Sequence, residues 1–282
     1  MAHMQNESSI ACPSCGHMIS GKFCTACGEK RVSAHDFSLK HFAEETVEGI
    51  THFDNKFFKS VKTLFTRPGC LSTFFEAGKR VHYMKPVQLF VICNLLFFFL
   101  VGNANVFSIS LRSYLIYNNY FFFNTKEAFE KKFGTSVNLD AATAIFNEKM
   151  ATQSKSFIIL FIPFVAVLCA LLFIKKRKFF TQHLVFATHF FCFLLLFFTL
   201  FHLLFELPNK YLFHFSVGQF DNFATNMNML ALVVYFTFAA RRYYKASWFI
   251  SILSSLAVGF WFIILLQSYR LFLFYKILPS LY

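Results

Sequence analysis

Charged residues are scarce in this 282-residue sequence. Only 15% of residues are Asp, Glu, Lys or Arg, whereas soluble domains carry about 25%, and the mean hydropathy is +0.51. Acids are the scarcer sign, with 14 against 27 basic residues. This composition argues against a soluble protein, and the near absence of acids from the apolar runs weakens an ion-driven transporter. No nucleophile with a base, phosphate-binding glycine loop or pair of carboxylates is evident, so we predict a protein that is not an enzyme.

No apolar run precedes residue 85, so we expect no cleavable signal peptide. Five apolar runs follow that point, and a membrane span needs about 20 residues. We therefore predict an all-α polytopic membrane protein with about five transmembrane helices, a small zinc ribbon at its N-terminus and amphipathic interfacial helices. The predicted spans are Pro86–Val101, Phe157–Ile174, about His183–Leu207, about Met227–Ala240 (which residues 220–226 could extend) and Ser247–Leu266 or beyond.

Basic residues cluster beside these runs and orient them. Residues 56–85 hold seven basic residues and one acid. Residues 175–178 hold four basic residues and residues 241–245 hold three, and neither range contains an acid. Because cytosolic loops carry the excess of Lys and Arg, we place the N-terminus in the cytosol and the C-terminus on the other side of the membrane. The polar segment 103–156 is expected outside, with short helices near 121–133 and 140–150. The predicted domains are thus a ribbon at 10–31, a cytosolic and interfacial segment at 36–85 and a bundle at 86–282.

The eight cysteines fall into two groups. Four form two CxxC pairs that are separated by eight residues and are each followed by Gly, while the other four lie singly in apolar sequence. Two such turns facing each other close a tetrahedral site, and a reducing cytosol favours metal over disulfides. Four thiolates leave no open coordination position, so a structural zinc ion is expected. The predicted ligands are Cys12, Cys15, Cys24 and Cys27.

Residues 36–66 have helical amphipathic spacing, with a lysine-rich face opposite an apolar stripe in 55–65. Two interpretations stay open. The helices could lie in the membrane interface, which suits this pattern, or they could pack on the cytosolic ends of the bundle.

The stretch from Lys56 to Leu100, with the Cys₄ motif ahead of it, resembles an uncharacterised family of bacterial membrane proteins. In that family a short zinc ribbon precedes a pattern RPG…(F)xxGKRxxYxxPxxLF and several spans. An acidic residue often follows the RPG motif in that family, whereas this sequence has Cys70 at that position. The resemblance implies an architecture and no activity. The matching residues are Arg67, Pro68, Gly69, Gly78, Lys79, Arg80, Tyr83, Pro86, Leu89 and Phe90.

The basic residues of this stretch form a second candidate site, which we call the basic collar: Arg67, Lys79, Arg80, Tyr83 and Lys85. Guanidinium groups bind phosphate in a bidentate manner, so the collar could form a pocket for a lipid headgroup or another anion. Alternatively, these side chains satisfy the charge bias of cytosolic loops and reach into the interface without forming a site.

The third predicted span holds His189, His202 and Glu206. His202 and Glu206 are four residues apart and share a helix face. Ionisable groups inside a span indicate metal or proton handling by default. The competing interpretation is that Glu206 lies at the interface, where a polar group costs little.

These features favour a non-enzymatic membrane protein. Its cytosolic zinc-ribbon head would act as a binding or regulatory module for a protein or a lipid headgroup. Membrane lipids, a cytosolic protein and a second copy of the chain are the expected partners. The ribbon has few basic residues, so nucleic acid is not expected. A small oligomeric transporter or channel is the alternative, and an enzyme acting on lipid is a third.

Overall fold

The computed structural model describes residues 10–31, 55–101, 106–116, 123–134, 138–213 and 217–281. The described residues are 76% helical. One two-stranded antiparallel sheet lies near the N-terminus, where Ile10 pairs with Ile19 and Ala11 with Met18. Of the predicted amphipathic segment 36–66, residues 36–54 lie outside the described part. The elements are β1 (Ile10–Ala11), β2 (Met18–Ile19), α1 (Lys56–Thr66), α2 (Cys70–Glu76), α3 (Pro86–Leu100), α4 (Leu111–Ile116), α5 (Thr125–Phe133), α6 (Leu139–Ser156), α7 (Phe161–Leu172), α8 (Phe180–Phe201), α9 (Val217–Tyr244) and α10 (Trp248–Ile277).

Three helical segments are long and apolar enough to cross a membrane: 180–206, 220–244 and 248–280. A fourth segment combines α6 with the helix 158–172, which are bent by 47° at their junction. The remaining predicted span, α3, is an apolar helix of 15 residues. This set of apolar helices is typical of a multi-pass membrane protein.

Two predicted helices are longer in the structure. The apolar run 227–240 lies inside α9, which has 28 residues, because hydropathy alone ignores the polar residues of its first turns. The short helix predicted near 140–150 is confirmed and extends through α6 to Ser156. Side chains of Asn124 and Asn138 accept hydrogen bonds from the first turns of α5 and α6, which fixes where both helices begin.

The chain divides into two compact units. The first contains residues 1–93, 163–194 and 231–255. Here Phe65 contacts Phe193, whose ring stacks on Tyr235 at 3.6 Å between centroids. Glu76 and Lys178 form an ion pair at 2.6 Å. Both candidate sites at the N-terminal end of the chain lie in this unit.

The second unit contains residues 94–162, 195–230 and 256–282. Phe107 is fully buried here and makes edge contacts with the rings of Phe97, Phe161, Phe198 and Tyr269. The ammonium group of Lys155 donates to the carbonyl oxygens of Phe98 and Val101. Lys155 therefore satisfies the free carbonyls at the C-terminal end of α3.

Candidate metal centre and basic collar

The two CxxCG motifs fold into turns with the same hydrogen bonds. The Cys12 amide donates to the His17 carbonyl at 2.8 Å, and the Cys24 amide donates to the Glu29 carbonyl at 2.8 Å. Gly16 and Gly28 then have φ values of 80° and 73°, which glycine adopts without strain. Each turn therefore holds its two cysteines on one side, as the spacing predicts.

The four predicted ligands come together. The Cys12 and Cys27 sulfurs are 3.6 Å apart, as are the Cys15 and Cys24 sulfurs, and all four lie within 4.8 Å of one another. Zn–S bonds of about 2.3 Å in a tetrahedral site put sulfurs about 3.8 Å apart. The cluster therefore fits one tetrahedral metal ion. In the described residues, no other group of three His, Cys, Asp or Glu side chains could hold a metal ion.

The cysteine thiols differ in acidity. Burial acts to raise the pKa of Cys12, but hydrogen bonds from the Cys15 and Ser14 amides outweigh it and lower this pKa to about 7. The Glu29 amide acts to lower the pKa of Cys27, but burial and the neighbouring thiols outweigh it and raise this pKa to about 12. Because thiolates are the metal ligands, the lowered pKa of Cys12 favours metal binding.

The ribbon is attached to the basic collar through one buried carboxylate. Glu29 is 1% exposed, and its Oε2 atom accepts hydrogen bonds from the amides of Arg80 at 2.9 Å and Val81 at 3.0 Å. The same oxygen accepts the Ser14 hydroxyl at 2.5 Å. Ser14 belongs to the first CxxCG motif, and the Glu29 carbonyl closes the second. Glu29 thus connects both halves of the metal centre to the turn that precedes α3.

Aromatic rings hold the collar cations. The Arg80 guanidinium lies 4.3 Å from the centre of the Phe75 ring, and the Lys79 ammonium lies 5.6 Å from that of Phe74. Tyr83 stacks on Phe74 at 5.2 Å. The structure therefore brings Lys79, Arg80 and Tyr83 together around two neighbouring rings of α2.

The collar also has a member that the sequence interpretation missed. The Lys59 ammonium lies 5.3 Å from the centre of the Tyr83 ring, so α1 contributes to the same group. Lys85 sits at the start of α3, where its carbonyl accepts the Leu89 amide at 2.9 Å. The collar in the structure is therefore a set of cations that lie on aromatic rings.

Arg67 lies at the C-terminal end of α1, and its two following residues pack on α9. The Arg242 guanidinium donates to the Pro68 carbonyl at 2.8 Å. The α-carbon of Gly69, which has a φ of 81°, faces the Ala239 carbonyl so closely that a Cβ atom would collide with it. The RPG motif is thus a packed turn, and its glycine is required by both conformation and space.

His189 is buried, 4% exposed, and its Nδ1 atom lies 2.9 Å from the hydroxyl of Ser72. A small cavity beside this pair is lined by both side chains and by Arg67 and Tyr235. Nothing in the sequence marked Ser72, which is 117 residues away from its partner. Of the three polar residues predicted in this span, His189 therefore lies beside the turn that contains Arg67.

The other two polar residues of this span contact each other. His202 Nδ1 lies 2.7 Å from Glu206 Oε2, across a π-helical turn at His202–Glu206. The shared helix face that the spacing predicts is confirmed. Two side chains are too few to hold a metal ion by themselves.

A family model described as "Protein of unknown function (DUF3667)" matches residues 54–98. The match contains α1, α2, the collar and most of α3. It supports the expected similarity to an uncharacterised family over this part of the chain. No curated protein and no solved structure matches the chain.

Proposed function

We propose that this protein is a multi-pass protein of the bacterial cytoplasmic membrane with a zinc ribbon in the cytosol. Five spans would cross the membrane, with α3 completed by neighbouring residues, the N-terminus inside and the C-terminus outside. The excess of basic residues at 56–85, 175–178 and 241–245 supports this orientation. The Cys₄ donor set and its sulfur distances support zinc, which prefers four thiolates in closed structural sites.

The proposed role is non-enzymatic. The head would bind anionic lipid headgroups through the collar. The metal centre would keep the collar in its binding conformation. A cytosolic protein partner would bind to the same surface. The observation that carries this role is the hydrogen bonding of the Glu29 carboxylate to the Arg80 and Val81 amides. A ribbon this small has little core beyond Cys12, Ile19 and Cys24. Its fold, and so the position of Glu29, would depend on the metal.

A transporter or channel is the second candidate. Buried polar atoms of Asn94, Asn228 and Trp261 have no hydrogen-bond partner among the described residues. Unpaired polar atoms in a span are costly and mark solute pathways in many membrane proteins. Liposomes containing the purified protein would show solute flux if this second role were correct, and that flux would persist without the ribbon.

Orientation is tested with single added thiols in a background whose four isolated cysteines are replaced. Lys175→Cys and Lys131→Cys both fall on exposed residues. A membrane-impermeant maleimide should label position 131 in intact cells and position 175 only in inverted vesicles. Labelling of both from one side would contradict the proposed topology.

The binding role is tested by counting phosphatidylglycerol molecules retained by the purified protein in native mass spectrometry. Lys59→Gln/Lys79→Gln should lower retention several-fold, because each basic residue near anionic lipid contributes about 1 kcal/mol. Lys131→Gln/Lys132→Gln removes the same charge from α5 and serves as the control. Equal retention by all three proteins would refute the collar as a lipid site.

A further inference from the structure

Two short turns outside the collar have an unusual backbone. Arg177 has a φ of 50° and Lys245 a φ of 48°, and they are the only non-glycine residues with positive φ in the described ranges. Long side chains rarely adopt this left-handed conformation, because their Cβ atoms crowd the backbone. Strained residues of this kind concentrate at functional sites.

The two turns are joined. The Lys176 ammonium donates to the Lys245 carbonyl at 3.1 Å, so the loop before α8 contacts the loop between α9 and α10. We call these two loops, residues 174–178 and 244–248, the turn pair. The hydrogen bond uses a charged group to hold Lys245 in its strained conformation. The turn pair is therefore a defined arrangement of two loops.

The turn pair presents positive charge to its surroundings. Its basic side chains other than Lys178 are exposed and, within the described part of the chain, form no ion pair with an acid. By contrast, Lys178, the last residue of the first loop, is paired with Glu76. The exposed, unpaired residues are Lys175, Lys176, Arg177 and Lys245, with Arg241 beside them.

Exposed aromatic and aliphatic side chains surround this charge. Arg241 lies 4.3 Å from the centre of the Trp248 ring, which is 48% exposed. Ile174 and Phe179 flank the other loop and are 68% and 62% exposed. Tryptophan and basic residues together are typical of the level at which lipid headgroups lie.

We infer that the turn pair is a second anion site, separate from the collar, that binds the phosphate of an anionic phospholipid headgroup. Both left-handed residues directly follow a helix, where this conformation is common. The site is formed by the exposed basic side chains of the two turns, which one phosphate would contact together. The exposed apolar side chains would contact the acyl chains of the same lipid. This inference takes the membrane insertion under "Proposed function" as its premise.

Asparagine provides a test variant, because it is uncharged and adopts positive φ more readily than other non-glycine residues. Arg177→Asn/Lys245→Asn should fold with an unchanged or higher melting temperature. Its affinity for cardiolipin, which has two phosphates, should fall about tenfold or more in native mass spectrometry, since two basic residues are lost. Arg177→Gly/Lys245→Gly is the alternative variant if the asparagines prevent folding.

The control removes the same charge from α1, where Lys56 and Lys62 are exposed and helical. Lys56→Asn/Lys62→Asn should change cardiolipin affinity less than about threefold. An equal loss in both variants, or no loss in the turn pair variant, would overturn the site. Displacement of cardiolipin by inorganic phosphate would also overturn the lipid assignment, because the turn pair would then bind a soluble anion. The labelling of position 175 checks the premise separately from these outcomes.

Discussion

A Cβ atom added to Gly69 would lie 2.5 Å from the carbonyl oxygen of Ala239. The RPG turn therefore touches the backbone of α9 directly, and the positive φ of Gly69 allows this approach. Arg242, one turn further along α9, donates to the carbonyl of Pro68. Together these contacts attach the residues before α2 to a helix more than 150 residues later in the sequence.

Gly69→Ala should strongly destabilise the protein. The left-handed conformation costs alanine about 1–2 kcal/mol, and the collision with Ala239 adds about 1–3 kcal/mol. Gly16→Ala is the control, because Gly16 has a φ of 80° but open space around its α-carbon. Thermal unfolding in detergent should show the larger loss for Gly69. Equal losses would mean that the close approach to α9 does not contribute.

Ser72→Ala should leave the buried His189 without its hydrogen-bond partner. A lost partner of this kind costs about 1–3 kcal/mol. The double variant Ser72→Ala/His189→Leu should recover part of that loss, because replacing both partners with apolar groups avoids an unsatisfied polar atom. Thr73→Ala is the control, since Thr73 is exposed and bonds only to the carbonyl of Gly69 within its own turn. Strictly additive effects of the two single changes would argue against this pair.

Cys12→Ser should abolish metal binding. Purified protein should contain one zinc ion per chain by elemental analysis, and loss of one thiolate opens a closed four-ligand site. Cys70→Ser is the control, because Cys70 lies in α2 and takes no part in the cluster. Zinc retained by the Cys12 variant, or lost from the Cys70 variant, would contradict the assigned ligands.

The metal cluster could be predicted from sequence because its four cysteines are local and regularly spaced. The apolar helices could be predicted because lipid imposes length and hydropathy on each one. The bend between α6 and α7 could not, since α6 begins in polar sequence and only its continuation is apolar. Hydropathy indicated the apolar centre of α9 but not the first residue of the helix, because helical polar residues precede that centre.

The contacts between distant residues carried no sequence signal. Glu29 follows the second CxxCG motif, but its partners are 51 and 52 residues away. Lys59 was expected only as part of a lysine-rich face, and its ring contact with Tyr83 depends on how α1 packs. Residue type and spacing indicate which groups are available, while the packing of helices decides which of them meet.

The attachment of the ribbon to the collar is tested most directly by hydrogen exchange at the amides of Arg80 and Val81. In the zinc-loaded protein both amides donate to Glu29, so their exchange should be slow. Removing zinc with a chelator, or changing Glu29 to Ala while zinc is retained, should accelerate exchange at these two amides at least about tenfold. Equally slow exchange in all three states would contradict the coupling between the metal centre and the collar.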